Sequence, residues 1–167
     1  IGVGLVGSEM CIRDRYTTLV MVSGSYNQIS ESGIEKIKDW VGKGNTLITI
    51  GSASSWAIKK EVVKESLVET KNDTIFSRKR YIDAREYSGR ERIGGSILKV
   101  DLDLTHPLAF GYRDQSIPVY KNNNVFLNKS KSDYSSVAIY SKNPHIDGYV
   151  SKKNMENNLK GAASLIV

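Results

Sequence analysis

Cysteine is almost absent from this chain: among 167 residues only Cys11 carries a thiol, which excludes an internal disulfide and any cysteine-rich zinc site. Histidine is nearly as scarce, with only His106 and His145. A catalytic zinc needs about four near-tetrahedral ligands, and neither histidine opens an H-E-x-x-H pattern. No apolar run approaches the roughly 20 residues of a membrane-spanning helix. Residues 16–167 hold no G-x-G-x-x-G, and the whole chain holds no G-x-x-x-x-G-K-[ST] and no G-x-S-x-G. Three prolines and no repeat exclude collagen-like and low-complexity classes. What remains is an ordinary globular composition, 40% hydrophobic and 25% charged, with a net charge of +6 that permits an acidic partner without requiring one.

Residues 1–15 stand apart. A secretory signal begins basic and then turns apolar, whereas here Arg13 and Arg15 follow the apolar stretch, and Ser8 and Glu9 interrupt it. The string over 5–15 resembles the conceptual translation of a sequencing adapter. On that reading 1–15 is a non-native segment, the domain sequence runs over 16–167, and the only cysteine belongs to the foreign part. Arg13 and Arg15 balance Glu9 and Asp14, so the net charge is unaffected.

Residues 17–22 form a continuous apolar run, as expected of a parallel strand buried on both faces. Ser30 is placed to cap a helix carrying Ile34, Ile37, Trp40 and Val41 on one face, ended by Gly42 and Gly44. Residues 45–50 repeat the strand signal, and 51–55 turn into a second helix with Trp56, Ile58, Val62 and Val63. Strand, helix, strand, helix implies right-handed crossovers and a parallel sheet covered on both sides. The polar stretch 78–92 reads as an excursion. Nucleic-acid contact through its arginines, with Tyr81 and Tyr87 stacking, is the rival, weakened by Asp83, Glu86 and Glu91. Further strands are expected at 96–103, 117–120, 125–127, 137–140 and 162–167, with a short helix from Ser151 to Leu159. Apolar strands at both ends of the sequence lead one to expect sheet neighbours outside it, and self-association in their absence.

The turn after the second strand, with Ser52 in it, sits where α/β sheets place reactive groups. A serine nucleophile there needs a histidine and a carboxylate behind it; His106 or His145 with Asp103 or Asp147 are the candidates, and Ser52, His106 and Asp103 form the alternative catalytic set. The competing readings are a helix cap and an anion site at the helix N-terminus. Residues 106–112 and 144–149 read first as structural turns.

The segments Leu19-Val20-Met21-Val22-Ser23-Gly24-Ser25-Tyr26, 37–44 and 46–53 are similar to a class I glutamine amidotransferase-like domain. Val100-Asp101-Leu102-Asp103, Thr105-His106-Pro107-Leu108-Ala109-Phe110-Gly111-Tyr112 and His145-Ile146-Asp147-Gly148-Tyr149-Val150-Ser151 resemble the domain of that type at the C-terminus of certain bacterial zinc carboxypeptidases of the carboxypeptidase A-like metallopeptidase family. The resemblance implies an α/β, flavodoxin-like doubly wound and mainly parallel sheet, incomplete at both ends. It implies a parent hydrolase that removes C-terminal residues from peptides in a secreted or periplasmic setting. The amidotransferase nucleophile is a cysteine in the turn after the second strand, where this chain has Gly51, Ser52 and Ala53, so no catalytic residue carries over. Zinc would belong to an upstream catalytic domain, and no metal or cofactor residue is assigned here. The expected role is a non-catalytic accessory domain whose partner is that upstream domain, with no nucleic acid and no membrane contact. A serine hydrolase using Ser52 and a carbohydrate- or polyanion-binding module are the alternatives.

Overall fold

The apolar run near the N-terminus forms strand β1 (Thr18–Met21), and after a turn Ser30 caps α1 (Glu31–Gly42), its hydroxyl accepting the amide of Gly33 at 3.3 Å. The computed structural model describes residues 16–69, 80–83 and 92–167. The expectations for 1–15, for Tyr87 and for most of the basic stretch 78–92 therefore lie outside the described residues. Past α1, whose end is marked by Gly44 at φ +92, the chain continues into β2 (Thr46–Thr49) and α2 (Ser52–Lys59). Strands β1 and β2 pair in parallel, Leu19 against Leu47 and Met21 against Thr49. One face of this ribbon meets the helices in a core of Met21, Ile34, Ala53, Trp56 and Ala57, with Ile37 and Leu47 packed against it. A large buried side chain such as Met21 or Ile34 stabilises by about 1.5–3 kcal/mol relative to exposure. Alternation along the strands sends Val20, Val22, Ile48 and Ile50 to the opposite face, where they are exposed. Helix α2 stops before Val62 and Val63, but Val62 still reaches the core from the following turn.

The described residues divide into two compact units, one before and one after the boundary between Lys64 and Glu65. The second unit overturns the doubly wound expectation. Its strands β3 (Ser96–Leu102), β4 (Ser116–Lys121), β5 (Ser136–Gly148) and β6 (Ala163–Ile166) form a four-stranded sheet in the order β4-β3-β5-β6, antiparallel at every pairing. The flavodoxin-like, doubly wound and mainly parallel reading is overturned; among the described residues only β1 and β2 pair in parallel. The physical reason lies in the connections. Parallel neighbours need a crossover of a dozen or more residues, usually a helix. Residues 103–115 contain only a 3-10 turn (Pro107–Ala109), and the bond from Leu102 N to Gln115 O at 2.7 Å closes them into a hairpin. Residues 122–135 contain no helix either.

Strand β3 shows the pattern that such a sheet requires, with Ser96, Leu98, Val100 and Leu102 buried and Ile97 and Lys99 exposed between them. The buried face packs with Ile93, Phe126, Ala138, Tyr140, Leu159 and Ala162. Residues 125–127 form no strand, contrary to expectation. Leu127 makes isolated antiparallel bridges to Leu67 and Ala163, which continue the curl of the sheet past β6. The expected helix from Ser151 is a π-helix over Asn154–Leu159, with Asn158 Nδ2 donating to Asn154 Oδ1 at 2.7 Å, both side chains buried. Pro118 sits on β4, an edge strand, where its missing amide costs no ladder bond. Among the described residues no helix is long and apolar enough to cross a membrane.

Candidate functional site

The carboxyl ends of β1 and β2 bring the loop after Met21 against the start of α2, and Ser52 is the residue that joins them. Its hydroxyl donates to the Gly24 carbonyl at 2.9 Å, accepts the Gly24 amide at 2.8 Å and lies 3.1 Å from the Ser23 hydroxyl. The Ser52 amide in turn donates to Ser23 Oγ at 3.1 Å. A nucleophilic serine must hand its proton to a base. This hydroxyl hands it to a backbone carbonyl, which cannot take it.

Gly51, at φ 60 and ψ −120, makes the sharp entry from strand to helix. A side chain is strained in that region, which accounts for glycine at the position where a strand-to-helix elbow would present a nucleophile. The cysteine implied by the resemblance has no counterpart in this turn. The anion reading meets a similar obstacle. An anion at a helix N-terminus is held by free amides, but here Ser52 N is taken by Ser23 Oγ, Ala53 N by Ile50 O at 3.3 Å and Ser54 N by Gly51 O at 3.1 Å. Beneath the turn Tyr26 meets Trp56 with ring centroids 5.7 Å apart, and Trp56 Nε1 is buried with no hydrogen-bond partner.

His106 and Asp103 lie in the second unit, at the C-terminal end of β3. Nδ1 of His106 accepts the Leu108 amide at 3.1 Å and so caps the 3-10 turn. In a Ser-His-Asp triad Nδ1 carries the proton and donates it to the carboxylate; here Nδ1 is an acceptor and is turned to a different task. Asp103 Oδ1 accepts both the Thr105 hydroxyl at 2.6 Å and the Thr105 amide at 3.0 Å, and these bonds hold its carboxyl below the usual range, with a smaller contribution from the nearby His106. His145 Nε2 bonds the Gly148 carbonyl at 2.6 Å, so that nitrogen carries the proton and cannot act as the accepting base. Asp147 accepts the Gly148 amide at 2.7 Å. The side-chain bonds of Ser52 are to Ser23 and Gly24 of its own unit, and the candidate groups serve three separate turns.

Two polar constellations were not singled out by sequence reasoning. Asp101 accepts hydroxyl bonds from Ser116 on one neighbouring strand, at 2.5 Å, and from Ser141 on the other, at 2.6 Å, which lowers its carboxyl from the ordinary value. The three residues staple β4, β3 and β5 across one face. Lys121 is the second case: it is buried at 6% exposure, its ammonium donates to Val125 O at 2.6 Å and Asn123 Oδ1 at 3.1 Å, and it sits 4.8 Å from the centroid of the Phe126 ring. Burial pushes this lysine down to about 8. The signal was present in the alternation, since Ile117, Val119 and Lys121 share a face of β4.

Tyr81, in a 3-10 turn (Tyr81–Asp83), is almost wholly exposed. Among the described residues no group of three or more His, Cys, Asp or Glu side chains converges as a metal ion would require. No family model, no curated protein and no solved structure matches the chain.

Proposed function

We propose that the chain acts as a non-catalytic accessory module, an interaction or stabilising domain of a secreted zinc metallocarboxypeptidase whose catalytic domain lies upstream. One observation carries the non-catalytic part. Each candidate reactive group is committed to an internal bond that opposes the chemistry it would have to perform: Ser52 to the backbone of Gly24, His106 Nδ1 to the amide of Leu108 and His145 Nε2 to the carbonyl of Gly148. A nucleophile-base pair needs both partners free toward each other.

The parent rests on the resemblance of 100–103, 105–112 and 145–151 alone. The antiparallel sheet withdraws the amidotransferase-like part of that likeness. Of these segments 105–112 lies beyond a strand end and displays Leu108, Phe110 and Tyr112, whereas 145–148 belong to β5 and Ser151 is buried.

The test is a hydrolase panel on the full chain, using ester and C-terminal peptide substrates with and without added zinc. No turnover above background is expected. Turnover that Ser52→Ala abolishes would replace this reading with a serine hydrolase. Sequencing the gene upstream checks the parent: an H-x-x-E motif followed by a later histidine is the expected result, and an unrelated upstream frame overturns it.

A further inference from the structure

We propose that the β3–β4 hairpin loop, residues 103–115, is a self-association surface on which a second copy of this chain docks about a two-fold axis, with Leu108 and Phe110 at its centre and Arg113 facing the partner subunit's Asp114. The inference goes beyond the accessory role proposed above; it shares the bond between His106 and Leu108 with the argument against catalysis and adds the exposed side chains of Leu108, Phe110, Arg113 and Asp114.

The loop is rigid where it displays apolar surface. Asp103 N bonds Val137 O at 2.9 Å, Asp103 Oδ1 holds Thr105, His106 Nδ1 holds the Leu108 amide, and Tyr112 N bonds Ala109 O at 3.2 Å. Ala109 is buried at 1% exposure, and Gly111 at φ +99 supplies the reversal that follows. From this fixed backbone Leu108 projects at 58% exposure, Phe110 at 70% and Tyr112 at 54%. Large apolar side chains held outward by a hydrogen-bonded loop lose little freedom on docking, and contiguous apolar patches on a soluble surface mark contact sites.

Charge selects the occupant. In a chain that is one-quarter charged, residues 104–112 contain no Asp, Glu, Lys or Arg, the composition of an interface core. A polyanion would find no cation there. The rim is formed by Asp103, Arg113 and Asp114, all exposed, and a rim carrying both signs complements itself under two-fold rotation. Arg113 of each copy then meets Asp114 of the other. Fully buried aromatic rings contribute on the order of 150–250 Å² each, so the patch reaches only the small end of the interface range and implies a weak dimer, with a dissociation constant on the order of tens of micromolar.

Sedimentation velocity on the full chain across the micromolar range tests this. A reversible monomer–dimer equilibrium is expected, and Leu108→Asp with Phe110→Asp should weaken it at least tenfold without moving the melting temperature. Arg113→Glu and Asp114→Arg should each weaken self-association several-fold, and mixing the two variants should restore it, since the mixed dimer regains both ion pairs. Val20→Thr with Ile48→Thr, on the first unit, should leave the dimer intact. A chain that stays monomeric, a dimer indifferent to the Leu108 and Phe110 changes, a mixture no more associated than its parts, or a dimer lost in the Val20 and Ile48 variant would each overturn the proposal.

Discussion

Ser52 and Gly24 are joined by a two-way hydrogen bond: one hydroxyl accepts the glycine amide at 2.8 Å and donates to the same residue's carbonyl at 2.9 Å. A side chain here completes both backbone groups of a loop residue 28 positions away in the sequence. Ser52→Ala is therefore expected to cost about 1–2 kcal/mol of stability. Denaturant unfolding with an unchanged m-value checks the figure, and a variant as stable as the parent would show that water replaces the tether at no cost.

Lys121 should make the chain more stable in mild alkali. Its folded-state value of about 8 lies below the ordinary lysine value of 10.5, so between those limits the unfolded state holds the proton and the folded state releases it. Stability is therefore flat below about pH 8 and rises from there to about pH 10, by at most on the order of 3 kcal/mol. Lys121→Met removes the rise and raises the melting temperature at pH 7, because an apolar side chain of similar length has no charge to desolvate. Melting curves at pH 7, 8, 9 and 10 for both proteins provide the comparison.

Asp101 contributes to the acid limb, together with the other lowered carboxylates Asp103 and Glu31. Hydroxyl bonds from Ser116 and Ser141 lower its folded-state value, so its contribution is complete above the unfolded carboxylate range and disappears as the pH falls through the folded value. Asp101→Asn should flatten the loss of melting temperature between neutral and strongly acid pH. An acid limb of unchanged steepness would place the titration elsewhere.

Two glycines separate backbone strain from collision. Gly148 has φ +83, and a Cβ there would lie 2.6 Å from Gly95 O and 2.8 Å from Ser96 Cα, whereas Gly111 at φ +99 opens onto empty space. Gly148→Ala should cost more than about 2 kcal/mol, and Gly111→Ala only the strain of a left-handed alanine, about 1 kcal/mol. Parallel thermal melts decide whether the ranking holds.

Val20, Val22, Ile48 and Ile50 form an exposed β-branched face on the parallel ribbon. Above the micromolar range in which the dimer forms, concentration-dependent light scattering beyond the size of a dimer is expected from it. Val20→Thr with Ile48→Thr should reduce that scattering while leaving the fold intact, as circular dichroism would register.

The local elements of the first unit were legible because their signals are local. An apolar run gives a strand, the Ser30 hydroxyl starts a helix, and Gly44 ends it, each within a few residues of the side chain responsible. Strands β3, β4 and β6 were also placed within a residue or so. What the sequence did not determine was which strands pair, and in which direction. Pairing is a long-range matter: β3 joins β5 across the whole of β4, and β5 runs on through Pro144 to Gly148 because β3 continues to supply partners such as Ile97 for Asp147. The partial alternation of β3 and the lack of a helix between 103 and 135 together pointed to an antiparallel sheet, but the parallel ribbon at the start suggested one architecture for the entire chain.

The candidate site divides in the same way. Residue type alone identified Ser52, His106 and Asp103 as groups capable of nucleophilic chemistry. Only the tertiary structure decided what they do, because a hydroxyl or an imidazole is defined by the atom it bonds, and those atoms are the backbone of Gly24, the amide of Leu108 and the side chain and amide of Thr105. Lys121 marks the same boundary from the other side. Its alternation with Ile117 and Val119 assigned it a face, but that this face is the interior, with carbonyls and an aromatic ring in place of water, follows from the curl of a sheet whose strands meet only when the chain has folded.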